Sequence, residues 1–157
     1  MSYAILVFCR SAATLSRQEI AEAIEDGVFF DDDPQFDPEP GSPDARAPVW
    51  DSLVITYSDA KRPVVVERQG ALEGIEEELE EDFGTGQLDP ALQRRLVEAT
   101  EIFSIDINPA TISDEAWEMC DFIERLIAER CDGLVYAPGD GIFDAALQRV
   151  ATAIAKS

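Results

Sequence analysis

The 157-residue chain contains no histidine, has 12 lysines and arginines against 33 aspartates and glutamates, and carries only three cysteines. Without an imidazole, mechanisms built on a histidine base, proton shuttle or metal ligand are excluded. A formal charge of −21 argues against a nucleic-acid binder with a basic face, because phosphates meet repulsion over most of the surface. The same charge opposes docking on anionic lipid headgroups, so no membrane partner is expected. The longest apolar run, Ala4 to Cys9, is far short of a membrane span, and the amino terminus lacks the basic-then-apolar-then-small order of a secretory leader. Cys9, Cys120 and Cys131 are odd in number and far apart in sequence, which argues against a disulfide framework and for a reducing cytoplasm. Pro138-Gly139-Asp140-Gly141 lacks the Gly-Lys-Ser/Thr of a phosphate loop, so it reads as a turn, and no cofactor is expected.

What is present is a foldable chain. Hydrophobic residues make up 46%, whereas disordered acidic chains are poor in them. A chain of this length buries enough surface for one real core, so a single domain over 1–157 is expected. Tyr3 to Cys9 is apolar at both parities, which predicts a central strand covered on both faces. Ser16 with Glu19 makes a capping box for a first helix that ends at Asp26-Gly27, with the glycine left-handed. Val28-Phe29-Phe30 reads as a short strand. Residues 31–48 then form an acidic insertion with five of the nine prolines, long enough to be a functional flap or a mobile segment.

Val49 to Tyr57 and Val64 to Arg68 read as an antiparallel pair joined by a hairpin at 58–63. Leu72, Ile75, Leu79 and Phe83 recur at helical spacing over 71–83. Asp89 and Pro90 start another helix as cap and first residue, with Leu92, Leu96 and Val97 inward. Glu101 to Ile107 alternates as a strand. Ser113 caps the longest helix, 114–130, whose Trp117, Cys120, Ile123 and Ile127 face the core. Leu134 to Tyr136 reads as a strand, and 142–156 as a terminal helix. Ala13-Thr14-Leu15-Ser16 and Ala110-Thr111-Ile112-Ser113 match at an offset of 97 residues, which points to a duplicated strand–helix unit or to a shared way of starting a helix. The order of elements predicts an α+β, ferredoxin-like sandwich with a mixed sheet, strands 3–9 and 101–107 being central, adjacent and parallel. A small doubly wound α/β sheet is the alternative.

The strongest functional signal is acidic clustering. Glu19 to Asp44 holds ten acids and no base, and Glu73 to Asp82 holds seven acids and no base. Glutamates four apart on one helix repel one another. Asp31, Asp32, Asp33 and Asp37 with Glu73, Glu76, Glu77 and Glu80 are therefore the candidate contact residues for a basic protein partner, recruited by salt-sensitive steering. Routine solubility is the plainer account of such faces. The aspartate run is not an EF-hand loop, because Phe36 and Ser42 stand where glycine and glutamate belong, and no metal site is assigned.

A polar pocket is expected at the carboxyl ends of the central strands, with Cys9, Arg10 and Ser11 beside Asp106 and Asn108. Arg10 there either binds an anion or pairs with Asp106. Cys9 lacks a histidine base, and the Cys9-x7-Arg17 spacing does not match a Cys-x5-Arg phosphate loop, so it reads as structural. The sequence thus favours a non-catalytic interaction protein of inhibitor or immunity type, acting on a cationic nuclease or similar toxin. The alternative is a small enzyme or ligand-binding domain using the strand-end pocket, and the two-sided apolar strand also fits a homodimer face.

Overall fold

The first strand, β1 (Tyr3–Cys9), is buried from Ile5 to Cys9, as its apolar residues at both parities require. A computed structural model describes residues 3–10, 15–57, 62–70, 73–84, 86–99 and 101–153. Around β1 the chain adds α1 (Arg17–Gly27), β2 (Gln35–Asp37), α2 (Pro43–Arg46), β3 (Ser52–Thr56), β4 (Val64–Gln69), α3 (Ile75–Phe83) and α4 (Pro90–Val97). It continues through β5 (Glu101–Ile107), α5 (Asp114–Cys131), β6 (Leu134–Ala137), β7 (Gly141–Phe143) and β8 (Arg149–Thr152). One eight-stranded sheet runs β2-β3-β4-β5-β1-β6-β7-β8. The architecture is α+β, with helices on both faces of an open sheet.

Every strand pair is antiparallel. β1 and β5 are central neighbours as expected, but Tyr3 pairs with Ile107 and Cys9 with Glu101. This corrects the expected parallel pair, on which both the ferredoxin-like and the doubly wound readings depended. Odd-numbered residues of β1 and β5 (Ile5, Val7, Phe103, Ile105) join one core with α1 and α5. Leu6, Phe8 and Ile102 join the other, under Ile75, Leu79 and Phe83 of α3 and Leu96 of α4. Both apolar faces of β1 are thus covered within the chain.

The helix starts follow their local chemistry. Ser16 and Glu19 form the capping box of α1, Ser113 caps α5 and Asp89 caps α4 ahead of Pro90. The end of α1 differs by one residue from expectation, Val28 (φ 48°) rather than Gly27 taking the left-handed conformation, and α5 ends the same way at Asp132 (φ 49°). The glycines are needed for room instead: a Cβ on Gly133 would stand 2.8 Å from the Phe8 carbonyl oxygen, and one on Gly27 would meet the Phe29 ring.

Phe29 and Phe30 form no strand. They anchor the start of the insertion, Phe29 against Phe122 at 5.4 Å and Phe30 stacked on Tyr57 at 5.1 Å. The insertion itself supplies edge strand β2, which pairs with β3, and α2, which packs on α1. Arg17 ties it down by donating to the carbonyls of Ser52 at 2.9 Å and Asp44 at 2.8 Å. Over the described residues 142–153 the β7–β8 hairpin replaces the terminal helix expected over 142–156, whose last three residues lie outside the described residues. Asp144 Oδ1 accepts from the amides of Ala146 and Gln148 at 3.0 and 2.9 Å, an Asx-type closure that outcompetes the helix propensity of the alanines. The 58–61 part of the expected hairpin and Ala13-Thr14 of the matched tetrapeptides lie outside the described residues. No helix among the described residues is long and apolar enough to cross a membrane.

Candidate functional site

The antiparallel register separates the four residues expected to share a pocket. Cys9 and Arg10 lie at one end of the central strands, and Asp106 and Asn108 lie at the other, opposite Ala4 and beyond. Each pair lines its own cavity. The cavity at the end of β1, about 320 Å³, adds Arg94, Arg95, Glu98 and Ala99 from α4 and the turn after it to Phe8, Cys9 and Arg10. The cavity around Asp106 and Asn108, about 310 Å³, is completed by Arg62, Pro63, Val65 and Ile107. Ser11 lies outside the described residues.

Arg10 does not pair with Asp106. Its guanidinium meets the Asp132 carboxylate at 3.3 Å on the surface. The Asp106 carboxyl is pushed up by burial first and then by the charge and hydrogen bond of Glu67, which lies on β4 two residues after Val65, the cross-strand partner of Asp106. Although far apart in sequence, Cys9 and Cys131 touch. A thiol hydrogen bond to Cys131, then burial, drives the Cys9 thiol strongly upward, and all three cysteines are free and buried. A thiol held protonated inside the α1–α5 core is structural.

A third cavity, about 260 Å³, opens between α5 and the start of β1. Tyr3, Trp117, Asp121, Glu124, Asp140 and Phe143 are among its walls. Glu124 is only 4% exposed. Burial, followed by the charge and hydrogen bond of Asp121, pushes its carboxyl from 4.5 up to about 9. It therefore holds a proton at neutral pH and shares it with Asp121. Tyr3 donates its hydroxyl to the Pro138 carbonyl at 2.7 Å, and burial together with Asp140, Asp82 and Glu124 raises its phenol to about 12. The sequence reading passed over Glu124. The available signal was its place on the core face of α5, four residues after Cys120 and three before Ile127.

The acidic segments sit in different layers. Asp31, Asp32 and Asp33 are exposed next to Phe29 and Phe30, which pack in the core of α1 and α5. Asp37 is exposed on edge strand β2. Glu73, Glu76, Glu77 and Glu80 are exposed on and just before α3, which packs on the opposite face of the sheet. Asp31, Asp32 and Asp33 thus lie beside one core and α3 packs on the other, with Asp37 on the edge strand between. Among the described residues, no three His, Cys, Asp or Glu side chains are arranged to hold a metal ion.

One acid of the second run turns inward. Asp82 is 6% exposed, and its Oδ2 accepts from the Tyr136 hydroxyl and from the Gly139 amide at 2.8 Å. That contact pins α3 to the 138–141 turn and leaves the other glutamates of the helix facing out. Comparison with protein-family models, with curated proteins and with solved structures found no match, so function is argued from this geometry.

Proposed function

We propose that the protein is a non-catalytic docking module whose α3 face binds a basic protein, in the manner of an inhibitor or immunity protein acting on a cationic nuclease. One observation carries this reading. The outward positions of α3 are glutamates, and Glu73, Glu76, Glu77 and Glu80 meet no cation among the described residues. The helix tolerates this at a cost. Glu76 and Glu80 stand four apart, a repulsion of a few tenths of a kcal/mol. Glu80 and Glu81 also sit in a last turn with no basic residue, against the negative end of the helix dipole. Ile75, Leu79 and Phe83 hold the backbone rigid from beneath, as a preorganised contact surface requires. Asp31, Asp32 and Asp33 follow Phe29 and Phe30 on the α1–α5 side of the sheet and Asp37 lies on the edge strand β2, where they add to long-range attraction.

The test is association with a panel of purified basic nucleases, followed by light scattering at low and at physiological salt. The expected result is a complex that weakens steeply with salt and is lost in the double reversal Glu76→Lys, Glu80→Lys. A complex indifferent to that reversal, or none at low salt, overturns the proposal.

A further inference from the structure

Three of the chain's 12 basic residues converge on one cavity of about 320 Å³: Arg10 from the end of β1, and Arg94 and Arg95 from the last turn of α4. In a protein of charge −21, three arginines against one glutamate on one cavity wall depart from the background. We infer that this cavity is a binding site for the phosphate group of a small phosphate monoester, distinct from the acidic α3 face.

The geometry supports an oxyanion with several acceptor oxygens. Arg10 sits on the same side of β1 as Phe8, two residues before it, and this side faces α4. Arg95 donates to the Asp132 carbonyl oxygen at 2.9 Å, while Arg10 reaches the Asp132 carboxylate at 3.3 Å. Asp132 therefore holds two guanidiniums in place with one bond each. Every guanidinium has five N–H donors, so both keep most of them for a ligand. Arg94 is exposed, and its guanidinium makes no hydrogen bond or ion pair among the described residues. A carboxylate is satisfied by one arginine fork, whereas three forks on two elements suit the three oxygens of a phosphate.

The rest of the cavity limits what accompanies the phosphate. Two buried apolar groups form part of its wall, Phe8 at 2% and Ala99 at 6% exposure. Glu98 is the one carboxylate on the wall, and it repels phosphate while accepting from a hydroxyl or ammonium group. The volume lies at the small end of ligand sites. These features together select a compact monoester with a hydrogen-bond donor near its phosphate. No covalent step is implied, because the Cys9 thiol points into the opposite core toward Cys131.

Isothermal titration with glycerol 3-phosphate, inorganic phosphate and acetate provides the test, on the full chain at constant ionic strength. The expected result is saturable binding of the phosphates, tightest for the ester and absent for acetate. Arg94→Ala should weaken it by about tenfold or more, with Arg94→Lys intermediate because charge is kept and the fork is lost. Arg46→Ala, a substitution of an exposed arginine on α2, should leave it unchanged. Absence of saturable binding, equal binding of acetate, or equal loss in the Arg94 and Arg46 variants overturns the inference. Circular dichroism of each variant confirms that the fold is retained, and none of these outcomes bears on docking by α3.

Discussion

Glu124 offers a direct measurement of what burial costs this chain. Its carboxyl stands at about 9 in the folded protein against an ordinary 4.5, so between those values the folded state binds a proton that the unfolded state has released. Stability from this group is complete below the lower value and declines as pH rises toward the upper one. The slope is about 1.4 kcal/mol per pH unit, hence about 2.7 kcal/mol lost between about pH 6 and about pH 8. That is a large share of the ~5–15 kcal/mol typical of a domain. Glu124→Gln keeps the shape and a donor for Asp121 but carries no titrating proton. Urea unfolding followed by circular dichroism, across this pH range at fixed ionic strength, isolates the group, because other titrations cancel between the two proteins. The wild type should match the variant near the acid end and fall behind steadily as pH rises. Asp121→Asn should leave most of the effect, since burial is the larger cause. A difference between wild type and Glu124→Gln that stays flat with pH would refute the reasoning.

Two further substitutions test the local physics. Val28 is a β-branched residue at φ 48° and is 77% exposed, so Val28→Gly relieves left-handed strain without losing burial. It should raise the unfolding free energy by about 0.5–1 kcal/mol in denaturant titrations, after the entropy of glycine in the unfolded chain is counted. Tyr136→Phe removes the hydroxyl from which Asp82 accepts, one of the bonds that satisfy this buried group beside the Gly139 amide. Calorimetry should show a loss of about 1–3 kcal/mol, and an unchanged melting temperature would show that the contact contributes nothing.

Sequence patterns revealed the elements that are fixed by neighbours in the chain. The two-sided apolar run of β1, the Ser16–Glu19 box and the Asp89-Pro90 start are all local rules, and each is obeyed. Strand direction is not local. Whether β1 and β5 run parallel depends on how the intervening strands and helices cross the sheet, and no residue in either strand records that. The same gap split the expected pocket, because reversing one strand moves Asp106 and Asn108 to the far end. At the carboxyl end, Ala145, Ala146 and Leu147 carry helix propensity, but Asp144 closes a loop around them and Ile142 is drawn into the α3–α4 core. Asp82 was hidden by its company, since nothing separates one inward acid from six outward ones except its place behind Leu79 on the helix.

The distribution of cations explains why the α3 face stands out. Ion pairs join distant parts of the chain, Arg68 to Glu101 at 2.9 Å and Arg130 to Glu19 at 2.9 Å, while Arg149 pairs locally with Asp140 at 2.6 Å across the β7–β8 hairpin. Arg17 and Arg68 also lie over the Trp50 ring, at 5.8 and 5.9 Å, whose indole N–H donates to the Leu15 carbonyl at 2.9 Å. These arginines connect the insertion, the sheet and the α1–α5 layer. Arg17, Arg68 and Arg130 thus serve the architecture. The surplus of carboxylate is therefore not a uniform coat. On α3 the outward glutamates Glu76, Glu77 and Glu80 make no ion pair among the described residues, and attraction of a cationic surface to them, as proposed above, would fall as salt screens it.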